Sequence, residues 1–161
     1  MGKIDAFSEF MGEALRHLDM STKDLTEEQL DWKSCPEANT IRNILGHLFV
    51  EWYGGLPKLL SGDKVLPDEE VSVLEERLLA RGYSGVEGKS LEQIEIDLVE
   101  GKKYLFDELD KLSDEDLAEE IDWFKGKQPM SNYLLIFIAE ILHHEGQIAA
   151  IRGVEKRIKG L

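Results

Sequence analysis

Apolar residues recur at steps of three and four along four stretches of the chain, and each stretch predicts a long amphipathic helix. The first runs from about Lys3 to Met20 and carries Ile4, Phe7, Met11, Ala14, Leu15 and Leu18 on one face. The second begins at Asn39 or Thr40, presents Ile41, Ile44, Leu45, Leu48, Phe49 and Trp52, and is expected to stop near Gly54 and Gly55. The third opens at Ser90 and continues through Leu91, Ile94, Leu98, Leu105, Leu109 and Leu112. The fourth starts at Ser131 or Asn132 and contains the most apolar segment of the chain, Tyr133 to Arg152.

What lies between these stretches sets their arrangement. Leu25-Thr-Glu-Glu-Gln-Leu30 has the Thr-x-x-Gln form of a capping box, so a short turn of helix starts at Thr26, and Trp32 to Ala38 reads as loop. Leu112-Ser-Asp-Glu-Asp-Leu117 caps a second short turn, and Trp123 to Met130, with Gly126 and Pro129, reads as a second loop. The chain therefore shows the same order twice: long helix, capped turn, loop, buried helix. From Leu56 to Lys89 prolines and glycines break the pattern, except over Asp68 to Arg81, where Val71, Leu74, Leu78 and Leu79 mark a small helix. A connection of that length lets its flanking helices run parallel. The expected fold is all-α: one domain over residues 1–161, a four-helix bundle with a long crossover between helices 2 and 3 that contains a short extra helix.

Composition narrows the function. A chain of 161 residues fits one domain with a real core. The formal charge of -14 repels phosphate backbones and anionic lipid, so neither nucleic acid nor membrane is the expected partner. No run is read as a spanning helix, and the start lacks the basic-then-apolar order of a secretory signal, which makes the cytoplasm the expected address. Cys35 is the only cysteine; it excludes an internal disulfide and a thiolate-built zinc site. His17, beside Leu18, is read as a surface or rim residue.

The sharpest chemistry lies in the fourth helix. Glu140 sits between Ile138-Ala139 and Ile141-Leu142, and an ionised carboxylate buried there would need a partner. His144 is four residues on, hence on the same face, and Tyr133, Phe137, Gln147 and Ile151 continue the stripe. His47, on the flank of the second helix, can look into the same bundle interior. His47, Glu140 and His144 together make a two-imidazole, one-carboxylate set that suits a divalent transition metal, whether zinc, nickel or ferrous iron. Gln147 and Glu51, each one turn from a candidate ligand, are candidates to orient it. His143, one residue round the helix, is expected to face elsewhere as a boundary residue but is kept as a pocket candidate. Trp52 is either core or the wall of a substrate pocket.

Two patches carry a resemblance. Asp31-Trp-Lys-Ser-Cys-Pro-Glu-Ala-Asn-Thr-Ile-Arg-Asn-Ile-Leu-Gly-His47 resembles the DinB-like (YfiT-like) metalloenzyme family, in which a Trp, a Pro and an Asn-Ser/Thr-Ile stretch lead to a histidine on the second helix. His144-Glu-Gly-Gln-Ile148, followed by Ile151-Arg-Gly153, is similar to that family's last-helix motif, His-x-Gly-Gln-Ile. The resemblance implies a four-helix bundle, a homodimer, and three metal ligands at His47, Glu140 and His144. It differs at the middle ligand, where relatives usually have histidine; a glutamate keeps a donor and adds negative charge. It also implies an S-transferase or isomerase that acts on a small electrophile with a low-molecular-weight thiol such as bacillithiol or mycothiol. Metal-dependent hydrolysis and a non-catalytic metal-binding or structural bundle are the alternatives.

Overall fold

The computed structural model describes residues 2–60, 89–123 and 126–160. Helix α1 spans Lys3–Thr22, α2 Glu27–Asp31, α3 Ile41–Val50, α4 Leu56–Leu60, α5 Leu91–Leu109 and α6 Met130–Lys159. A π-helical turn, Glu51–Gly55, joins α3 to α4, and a 3₁₀ turn, Asp116–Ala118, follows α5. The architecture is the expected all-α one. The short helix expected over Asp68 to Arg81 lies outside the described residues.

Side chains fix where the helices begin. Thr40 accepts a hydrogen bond from the Asn43 amide at 3.1 Å to start α3, and Ser90 accepts from the Gln93 amide at 3.2 Å to start α5. The two short turns are built alike. Thr26 Oγ1 accepts from the Gln29 amide while Gln29 Oε1 accepts from the Thr26 amide, each at 3.2 Å. Ser113 and Asp116 exchange the same pair, at 3.2 and 2.7 Å. Each turn then drops one leucine, Leu30 or Leu117, into the core.

The second helix does not stop at Gly54-Gly55. It passes through both glycines in the wider π turn, with the Leu56 amide bonded to the Glu51 carbonyl, and continues to Leu60. Pro57 gives the reason: its ring would clash with a carbonyl one α-turn back, and a local widening of the helix relieves that clash. Burial of Trp52, Leu56 and Leu59 holds the continuation in place. The segment after Glu119 also departs from expectation. It is an antiparallel hairpin, β1 Glu120–Trp123 paired with β2 Gly126–Pro129, not a loop. Gly126 takes φ +80° at the turn, the left-handed region that glycine enters without a Cβ penalty.

Helix α6 is the axis of the domain, packed along α1 and against α3, while α5 packs on α1 and on the π turn. By length and composition α6 is apolar enough to cross a membrane, a point the broken run of apolar letters concealed. Its inner residues Leu134, Ile138, Ile141 and Ile148 are instead spent on the common core. Arg152 ties the far end together by donating to the carbonyls of Ser21 at 2.7 Å and Lys23 at 2.9 Å, where α1 ends. A guanidinium on the last carbonyls of a helix satisfies orphan acceptors and opposes the macrodipole. Arg152→Ala should therefore cost about 1.5–3 kcal/mol in urea unfolding, the usual range for hydrogen bonds to a charged group. An unchanged midpoint would show that water replaces the cap without loss.

Candidate metal centre

The Thr40 cap sets the rotational phase of α3, so that Asn43, Ile44 and His47 face one side; α6 presents Glu140, His143, His144 and Gln147 to them. With Asn39 these residues line a cleft of about 280 Å³. Within it the ligand atoms of His47, Glu140 and His144 all lie within 4.8 Å of one another. The two imidazoles meet edge to face, with ring centroids 4.7 Å apart. His144 Nε2 stands 3.6 Å from Glu140 Oε2, beyond hydrogen-bonding distance, and is buried without a hydrogen-bond partner. A buried imidazole nitrogen with no partner, facing a second imidazole and a carboxylate, is the arrangement a cation would complete. The three residues thus fit a divalent ion.

One premise of the sequence reading is corrected. Glu140 is not buried: its side chain is 48% exposed, against 11% for His144. Apolar neighbours in sequence do not enclose a helical residue, because each step turns the side chain by about 100°. Ile138 and Ile141 point into the core while Glu140 falls on the edge of the buried arc, at the mouth of the cleft. The acid therefore needs no partner to survive.

His143 is corrected in the opposite sense. Although exposed, it lines the cleft, and Gln147 bridges it to His144: Gln147 Oε1 is 3.0 Å from His144 Nδ1, and Gln147 Nε2 is 3.0 Å from His143 Nε2. Trp52 does not wall the pocket. It is wholly buried, packs edge to face on Phe49 and abuts Gly101 of α5. Cys35 is exposed and free, away from the cleft. Asn39, Asn43 and Ile44 were missed as lining residues; Asn43 lies one helical turn before His47 on α3, the signal that marks it, and Asn39 stands just before the Thr40 cap.

Electrostatics favour open lone pairs. Burial, then the neighbouring His144, holds the His47 imidazolium pKa below the ordinary histidine value, with Glu140 opposing. Burial does the same to His144, opposed by Gln147 and Glu140. Both rings are therefore neutral at pH 7 and able to donate electron pairs. Glu51 moves the other way: half-buried at the start of the π turn, its carboxyl is raised by desolvation and then by the charge of Glu140. A folded state that holds this proton more tightly than the unfolded chain gains stability that is fully present below the ordinary carboxyl value and is lost as pH rises through the raised one. Glu51→Gln should raise the melting temperature of chelator-treated protein at pH 7 and leave it unchanged near pH 3. A gain of equal size at both pH values would trace the effect to packing instead.

A profile of the DinB superfamily matches residues 11–148. Among solved structures, a conserved protein of locus from Enterococcus faecalis superposes with a TM-score of 0.64 over 94% of this chain and 96% of that one, at 14% identity. A likeness at that identity speaks for the fold alone. None of the curated proteins compared matches the chain. The matched span takes in all three residues of the His47–Glu140–His144 cluster, and the chain belongs to the DinB superfamily.

Proposed function

We propose that this chain is a metal-dependent enzyme which holds a divalent transition ion, zinc, nickel or ferrous iron, with His47, Glu140 and His144 and acts on a small electrophilic molecule. The observation that carries the reading is the close approach of those three donors around the unpartnered, buried His144 Nε2. A bound ion would supply Lewis acidity, lowering the pKa of a thiol or other ligand that completes its coordination. The chain's own residues supply the rest. His47 and His144 stay neutral and offer lone pairs. The amides of Asn39 and Asn43 offer hydrogen bonds at the mouth, and Ile44 gives the cleft one apolar wall.

The leading reaction is transfer or isomerisation with a low-molecular-weight thiol cofactor. Hydrolysis is favoured by one observation, the Glu51 carboxyl held above its ordinary value by burial and the charge of Glu140, which is the direction that suits a general acid–base group. A homodimer in the cytoplasm, with no nucleic-acid or membrane partner, completes the proposal; the charge of -14 supports weak association with polyanions.

Elemental analysis of protein purified without added metal, followed by titration of the chelator-treated protein, tests the reading. About one ion per chain is expected. No uptake of zinc, nickel or iron would favour a structural bundle. Consumption of an electrophile only when thiol and metal-loaded protein are both present supports transfer; consumption without thiol supports hydrolysis.

A further inference from the structure

We infer that Gln147 is a positioning residue which, itself held in orientation by His143, fixes the tautomer of His144 so that Nε2 carries a bare lone pair into the cleft. The inference rests on the metal reading for the purpose of that lone pair, but not for its existence. An amide oxygen can only accept. Gln147 Oε1, 3.0 Å from His144 Nδ1, therefore requires the proton on Nδ1, and a neutral imidazole then has none on Nε2. The absence of any hydrogen-bond partner at Nε2 agrees.

Reversing the amide would reverse the outcome. Its NH2 would donate to Nδ1, the ring proton would move to Nε2, and the nitrogen facing His47 and Glu140 would be blocked. Gln147 alone has no preference between these states, so its other end matters. His143 is coupled to that choice: its Nε2 lies 3.0 Å from Gln147 Nε2, and an amide nitrogen can only donate. His143 thus accepts at Nε2 and carries its own proton on Nδ1; the reversed amide would require both histidines to move their protons to Nε2. Helical spacing makes the bridge possible, because Gln147 lies three residues from one histidine and four from the other.

Long-range ¹H–¹⁵N imidazole correlation spectra of the metal-free wild type test the tautomers directly. His144 and His143 should both be protonated on Nδ1, and Gln147→Leu should shift His144 toward the Nε2-protonated form. Zinc affinity, read by competition with a chelator, tests the coupling. Gln147→Leu should weaken it by about 10- to 100-fold, the usual range for a group that orients a ligating histidine. His143→Ala should weaken it about tenfold alone but less than twofold in the Gln147→Glu background, where either carboxylate oxygen can accept from Nδ1 and no orientation needs selecting. An Nε2-protonated His144 in the wild type, or an equal loss from His143→Ala in both backgrounds, overturns the inference. Expected tautomers in a protein that takes up no zinc would sink the metal reading alone.

Discussion

Gly101→Val should cost about 3 kcal/mol of stability, and even Gly101→Ala should be destabilising although alanine is the better helix former. A Cβ at position 101 falls 2.5 Å from Trp52 Cε3 and 2.8 Å from Cζ3, with the Tyr53 hydroxyl at 3.4 Å. The indole cannot retreat, being wholly buried between α5 and the second helix. Helix propensity would repay the alanine by about 1 kcal/mol, whereas forcing atoms into a filled core costs about 1–3 kcal/mol. The collision wins by a margin that valine widens. Gly12 provides the control, because a Cβ there meets only Phe106 Cζ at an ordinary 3.7 Å. Gly12→Ala should raise the melting temperature while Gly101→Ala lowers it. If both rise, α5 stands further from the π turn than the distances require.

That contact also marks a limit of sequence reading. Thr26, Thr40 and Ser90 announce their helices because a cap is a local device, made by a side chain and an amide three residues away. Gly54-Gly55 reads as a stop by the same local logic, yet Trp52, Leu56 and Leu59 bury the continuation and Pro57 turns it into a π turn. The hairpin is invisible for a related reason: its four-residue strands bury Ile121 but offer no alternation long enough to register. At the site, the four-residue step from Glu140 to His144 is legible. The burial assigned to Glu140 is not, since angular position on a helix, and not the company of apolar neighbours, decides exposure. The bridge through Gln147 needs atoms, because its meaning lies in which end of an amide faces which ring.

The second large effect belongs to the imidazoles. Zinc should stabilise the wild type by about 2.7 kcal/mol at a free concentration one hundred times its Kd, which for a domain of this size is roughly 5–10 °C in melting temperature. His47→Ala and His144→Ala should each weaken binding by more than about 100-fold and remove the whole shift, whereas Glu140→Gln should leave part of it. The ranking follows from burial. The two rings lie in the cleft, already neutral, and His144 Nε2 has no other bond to lose, so their lone pairs are presented at little desolvation cost. Glu140 is half in water and must surrender hydration to bind, which discounts its charge. In the absence of metal, His144→Ala should cost less than burial alone suggests, because it also deletes an unsatisfied polar atom. Calorimetric melts of wild type and the three variants, with chelator and with zinc, separate the two effects. A zinc-dependent shift that survives in His47→Ala/His144→Ala would place the ion elsewhere on this acidic chain and remove the cleft's claim to chemistry.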